Sequence, residues 1–197
     1  MPPVVVPPWN QYQVLPPINA RNPAGVDRSP YDVTVDALVS HFATSTERCD
    51  ILDGYLTLRS ELHAAGLRNG FQWVNGSFSE HVEVLEGRAP NDVDVVTFVR
   101  DEHNNAQNLA PNLLQQAWVK QHRRVDHYWV DLHRTVAEKL VTITAYWYSM
   151  WSHRRNTLWK GFLQVDLDDQ HDAAAATRLA EARNRLAQQN QALGGNP

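Results

Sequence analysis

The run DVDVVTFV, residues 92–99, constrains the fold of this chain more than any other stretch. Its β-branched and aromatic residues suit a strand. After Asp94 it is apolar on both faces, the pattern of a central strand covered on both sides. Yet two carboxylates stand at its head. Strand side chains alternate, so Asp92, Asp94 and Val96 share one face while Val93, Val95 and Thr97 share the other. A carboxylate taken out of water is neutralised, paired or bound to a metal. The chain therefore needs a sheet with covering layers, and something to answer the two acids.

The flanking sequence supplies those layers. In TSTERCDILDGYLTLRSELHAAG, residues 44–66, Ile51, Leu52, Tyr55, Leu58, Leu62 and Ala65 recur at helical period, and Gly66 is a stop. Ser29, Pro30 and Asp32 suggest the start of an earlier helix. FQWVN, residues 71–75, reads as a strand, and RRVDHYWVDL, residues 123–132, as another. LAPNLLQQAWVKQH, residues 109–122, reads as a helix, as does the segment from Thr135 toward Trp151. DAAAATRLAEARNRLAQQNQAL, residues 172–193, is a clear helix, preceded by a short extended segment ending near Leu167. The order predicts an α/β or α+β fold with a small mixed sheet flanked by helices.

Eight of the eleven prolines fall in residues 1–30, which excludes helix and central strand there. The expected organisation is a proline-rich arm at 1–30, a domain at 31–168, and a C-terminal helix and tail at 169–197. The arm can wrap the domain through Val4 to Val6, Trp9, Tyr12 and Leu15, or serve a proline-binding groove. The last helix carries Leu179, Leu186 and Leu193 at heptad spacing. It can dock on its own domain, or support a homodimer or partner protein. With 197 residues and 43% hydrophobic content, one globular domain is expected. The net charge of -4 argues against global nonspecific nucleic-acid binding. Cys49 is the single cysteine, so no intrachain disulfide can form, which suits a reducing cytosol. No run approaches the about 18 apolar residues of a membrane span. A soluble, cytoplasmic protein is expected. No H-E-x-x-H or C-x-x-C motif points to a zinc hydrolase.

Carboxylates at a strand head are hard oxygen donors that suit Mg²⁺ or Mn²⁺ shared with substrate phosphates. A pair of such ions clamps both oxygens of a phosphoryl transfer. Upstream, WVNGSF places Gly76-Ser77 after a strand and before an expected helix, where phosphate binds well. Ser77-Phe78-Ser79-Glu80 also fits a capping box that needs no ligand. Arg88 precedes the aspartates and is a further candidate for phosphate. YWYSMWSHRRNTLWKG, residues 146–161, joins aromatics to Arg154, Arg155 and Lys160, which suits either a base-stacking platform or a tryptophan-rich core helix with a basic turn. His81 and His127 are candidates to lie near the acids.

Gly-Ser at a strand–helix turn followed by Asp-x-Asp on the next strand resembles the nucleotidyltransferase superfamily of the DNA polymerase β type. The core motif spans roughly residues 70–132. Over most of its length the chain also looks like an uncharacterised bacterial nucleotidyltransferase-like family. The resemblance implies a nucleotidyltransferase-like fold in which Gly76, Ser77 and Arg88 hold an NTP and Asp92 and Asp94 bind Mg²⁺ or Mn²⁺. It also implies a third carboxylate on a later strand. Asp126 and Asp131 are five apart on one expected strand, so only one can join the pair. RRVD, directly after a helix, matches the family's position and favours Asp126, which can also help deprotonate the acceptor hydroxyl. The implied activity is transfer of a nucleotidyl group to a protein or RNA acceptor, in a toxin–antitoxin or phage-defence setting. Small members continue the turn with Ala-Arg-Gly, where this chain has Ser79-Glu80-His81. That departure motivates the alternative, a catalytically weak binding module acting through a protein partner.

Overall fold

The computed structural model describes residues 5–194. Among these residues a five-stranded mixed sheet is flanked by helices, an α+β fold as expected. The elements run β1 (Tyr31–Asp32), α1 (Val35–Phe42), α2 (Thr46–Ala64), β2 (Gly70–Asn75), α3 (Val82–Glu86), β3 (Val93–Val99), α4 (Gln116–Arg123), β4 (Val125–Asp131), α5 (Ala137–Trp151), β5 (Leu163–Asp166) and α6 (Asp172–Gly194). The sheet order is β1-β5-β2-β3-β4. β3 runs antiparallel to β2 and parallel to β4.

The pleat sorts β3 as its sequence requires. Val93, Val95 and Val99 enter the larger core with α1, α2, α4 and α6. Val96 and Phe98 face the other side, where Trp73, Phe162 and the α5 tryptophans Trp147 and Trp151 form a second, aromatic core. Covering on both faces explains the uninterrupted apolar run.

α1 begins later than its sequence suggests. Thr34 caps it by accepting from the Ala37 N–H. Residues expected to start the helix instead pair with β5, where Tyr31 N–H and Val33 N–H donate to Phe162 O and Gln164 O. Burial of Tyr31 and Val33 at this edge outweighs the local helix-start signal. The expected helix at 109–122 is also shorter: Pro111–Leu114 is a 3₁₀ turn, and regular helix starts at Gln116.

Gly54 sits mid-helix in α2, where glycine costs about 1 kcal/mol against alanine. A Cβ there would lie 1.9 Å from Arg123 O, so glycine lets α2 touch the end of α4. This contact and buried Val119 fix α4 beside the head of β4.

Residues 5–30 pack on their own domain. Val6, Val14 and Leu15 are buried, while Val5 and Tyr12 are exposed; Val4 lies outside the described residues. Trp9 donates its indole N–H to Ser79 O at 2.9 Å and stacks on His81. α6 docks through buried Ala175, Leu179 and Ala182, and Arg183 pairs with Asp50. Beyond Leu186 its described side chains are exposed, and the Leu193 side chain lies outside the described set.

Candidate active site

Register brings the acids together. Asn75 on β2 pairs with Asp94 on β3, and Asp94 pairs with Asp126 on β4. Directly paired residues project to the same side, here the side of α5. Asp92 lies just before β3. These residues line a cleft of about 610 Å³ that also takes in Gly76, Ser77, Arg88, Lys120, Glu80 and Lys160. Gly76, Ser77, Arg88, Asp92, Asp94 and Asp126 therefore line one cavity.

Gly76 shapes its floor. It has φ +85°, the left-handed half of the map, and a Cβ would lie 2.3 Å from Asp94 Oδ2. Only glycine admits both that backbone and that carboxylate. Gly76→Ala is expected to cost about 1–3 kcal/mol of stability and to displace Asp94. Urea denaturation with a Mn²⁺ titration checks both effects.

The helix expected after this turn does not form. Ser77–Ser79 is a single 3₁₀ turn without a side-chain cap, and α3 is five residues long. The capping box is absent because Glu80 is extended and turned elsewhere. Its carboxylate, buried, takes Lys160 Nζ at 2.6 Å and Arg154 Nε at 2.8 Å. Lys160 also donates to Gly76 O at 3.1 Å, so this buried cluster underpins the turn. Ser79 ties the turn to β2, its hydroxyl donating to Asn75 Oδ1 and Gly76 O. Arg88, at the rim, is held by Glu86 at 2.8 Å.

Lys120 answers the acids. Its Nζ lies 2.9 Å from Asp92 Oδ2 and 2.6 Å from Asp126 Oδ2. Gln116, one turn earlier on the same face of α4, donates to Asp126 Oδ1. Burial pushes the Asp126 carboxyl up, but Lys120 and Gln116 outweigh it and hold it below the usual carboxylate range. Among the described residues none donates a hydrogen bond to the Asp94 carboxylate. Burial first, then the charges of Asp92 and Asp126, push it up to about 6. Of the carboxyls in the cleft, Asp94 is therefore the one pushed toward neutrality, while Asp126 is held ionised by its partners. Among the described residues no three acidic, histidine or cysteine side chains converge as a ready metal site, and the Lys120 ammonium lies between Asp92 and Asp126.

Asp131 is elsewhere, at the far end of β4. It accepts from the His133 and Arg134 N–H groups and pairs with Arg134. His81 and His127 do not line the cleft. His81 stacks on Trp9, and buried His127 projects to the opposite face, where it meets Thr97 at 2.7 Å. His127 follows Asp126 directly, so the pleat itself sends it away. The basic aromatic stretch divides as well. Trp147 and Trp151 are core, Lys160 and Arg154 serve Glu80, and Arg155 is exposed at the cleft rim. Lys120 and Gln116 escaped the sequence reading, although their i, i+4 spacing on a helix ending just before RRVD was a usable signal.

A model of a family of unknown function (DUF6932) matches residues 7–166, and the chain belongs to that family. No curated protein and no solved structure matches the chain.

Proposed function

We propose that this family member is a Mg²⁺-dependent nucleotidyltransferase that moves a nucleotidyl group from an NTP to a protein or RNA acceptor. The observation that carries the reading is the register pairing of Asp94 with Asp126, beside Asp92 and across a Gly-Ser turn, in one cleft. The donors are of the kind the ion takes, three hard carboxylates, with Asp94 beside a turn where a Cβ at position 76 would fall 2.3 Å from its Oδ2 and Lys120 between the other two. Asp92, Asp94 and Asp126 would hold Mg²⁺, which when bound supplies charge neutralisation at the phosphate oxygens. Gly76 admits close approach at the turn, and the Ser77 hydroxyl and Arg88 offer hydrogen bonds to phosphate. Arg155 adds positive charge at the rim. Asp126, the third acid of the set, is the candidate to help take the proton of an acceptor hydroxyl.

The direct test is incubation with each labelled NTP, Mg²⁺ or Mn²⁺, and cell lysate. Label on protein or RNA is expected, and it should vanish in the Asp92→Ala, Asp94→Ala double variant. No label and no Mn²⁺ binding would overturn the reading. A second reading, a binding module with a weak or silent site, draws on Lys120 neutralising two of the acids and on Glu80 being locked into a buried ion cluster. It predicts Mn²⁺-independent capture of a protein partner and no transfer.

The two later carboxylates separate cleanly. Asp126→Asn should weaken Mn²⁺ binding and lower transfer roughly tenfold or more. Asp131→Asn should leave both near wild type, because its hydrogen bonds stabilise only the turn after β4. Reversed outcomes in parallel Mn²⁺ titrations would move the third acid.

A further inference from the structure

We propose that Lys120 is an exchangeable counterion. Its ammonium holds Asp92 and Asp126 when no metal is present, leaves them when a divalent cation binds, and then contacts the phosphates of the nucleotide. This regulates the site described above and rests on that reading.

A single donor reaches carboxylates from two chain segments, at 2.9 Å to Asp92 and 2.6 Å to Asp126. The lysine is not trapped there. Its side chain is 47% exposed, and a four-carbon stem lets the ammonium swing into water at little cost. The helix beneath it is fixed, with Val119 buried and the end of α4 against Gly54. Movement is therefore confined to the side chain.

Charge makes the two occupants exclusive. Asp92 and Asp126 share Lys120 as their ion-pair partner, while Lys160 is engaged by Glu80, Arg154 by Glu80 and Glu86, and Arg88 by Glu86; Arg155 stands exposed at the rim. A divalent ion among the acids would meet the ammonium at contact distance with like charge, an unfavourable arrangement even when screened. Metal entry therefore expels Lys120. The expelled ammonium stands at the wall of the same cleft, near where the Gly-Ser turn would hold phosphates. A point charge on a flexible stem suits a triphosphate.

The consequence is an opposite sign on two affinities. Lys120→Met is expected to bind Mn²⁺ roughly tenfold more tightly than wild type, the order expected for losing one close, half-exposed charge. With Mn²⁺ saturating, it should bind a non-hydrolysable NTP analogue severalfold more weakly. A lysine with a merely structural role would move neither affinity in this pattern. The experiment is calorimetric titration of the full chain, first with Mn²⁺ alone and then with the analogue, alongside thermal melting. Lys120→Gln serves as a second variant should the first fail to fold. Unchanged or weaker Mn²⁺ affinity in a folded variant would overturn the proposal, as would unchanged analogue affinity. Equal Mn²⁺ binding by wild type and variant sinks the counterion alone. No Mn²⁺ binding by either sinks it together with the metal site.

Discussion

Replacing Glu80 with alanine is expected to destabilise the protein by about 3–5 kcal/mol, the usual cost of stripping one partner from a buried ion pair. Glu80 and Lys160 are both nearly inaccessible, at 4% each. Burial already holds the Lys160 ammonium below its ordinary range, with Glu80 the main compensation. Without Glu80, the ammonium keeps Gly76 O and loses its counter-charge. Arg154 loses one of its two carboxylates and keeps Glu86. The turn at Gly76 is built on this cluster, so its geometry should loosen with the stability. Urea denaturation of Glu80→Ala, Lys160→Met and the double variant forms the decisive cycle. The double variant should recover much of the loss, because an apolar pair avoids burying an unmatched charge. Additive losses would mean that the two side chains do not act as a pair.

This cluster also marks where sequence reasoning stopped. Ser77-Phe78-Ser79-Glu80 has the local form of a capping box, and local form is all that a four-residue motif reports. Glu80 left the box for Lys160 and Arg154, which lie beyond β4 and α5 in the chain. A buried pair outbids a cap worth about 1 kcal/mol. The same reason applies to Ser29-Pro30-Asp32, where edge pairing with β5 prevailed over a helix start. Sheet edges are long-range facts, and no window of sequence contains them.

What was legible followed from periodicity. β2, β3, β4, α2 and α6 appear near their expected places because each carries its own pattern of burial. The placement of Asp94 beside Asp126 follows from two period-2 strands whose acids both stand near the head. The pleat rule that brought these residues forward also removes His127. Spacing puts Lys120 and Gln116 on one face of a helix, but that this face meets the acids depends on the chain reversing through Arg124, which adopts a left-handed conformation between α4 and β4. That reversal returns the last turns of α4 to the acids of the strand that follows.

Asp94→Asn is expected to trade function for stability in a pH-dependent way. Burial, then Asp92 and Asp126, raise the Asp94 carboxyl from its ordinary 3.8 to about 6. The folded chain therefore binds more protons here than the unfolded chain in the window between those values. Stability consequently falls as pH rises through the window, and the cost is complete above it. Asparagine removes the ionisation and keeps the shape. In EDTA at pH 8 the variant should be more stable than wild type by about 1–2 kcal/mol, a figure discounted from the full linkage because the group is partly exposed. At pH 4 the difference should largely disappear, since wild-type Asp94 is then mostly protonated in the folded state. The same variant should lose at least about a hundredfold in Mn²⁺ affinity and transfer, since even outer-shell partners of metal ligands cost 10–100-fold. Urea denaturation at the two pH values, paired with Mn²⁺ titration, reads both sides. A variant less stable than wild type at pH 8 would mean that Asp94 is answered electrostatically by Lys120 and Lys160 after all. A variant more stable and metal-blind would identify Asp94 as a group whose burial costs the fold stability and serves the site.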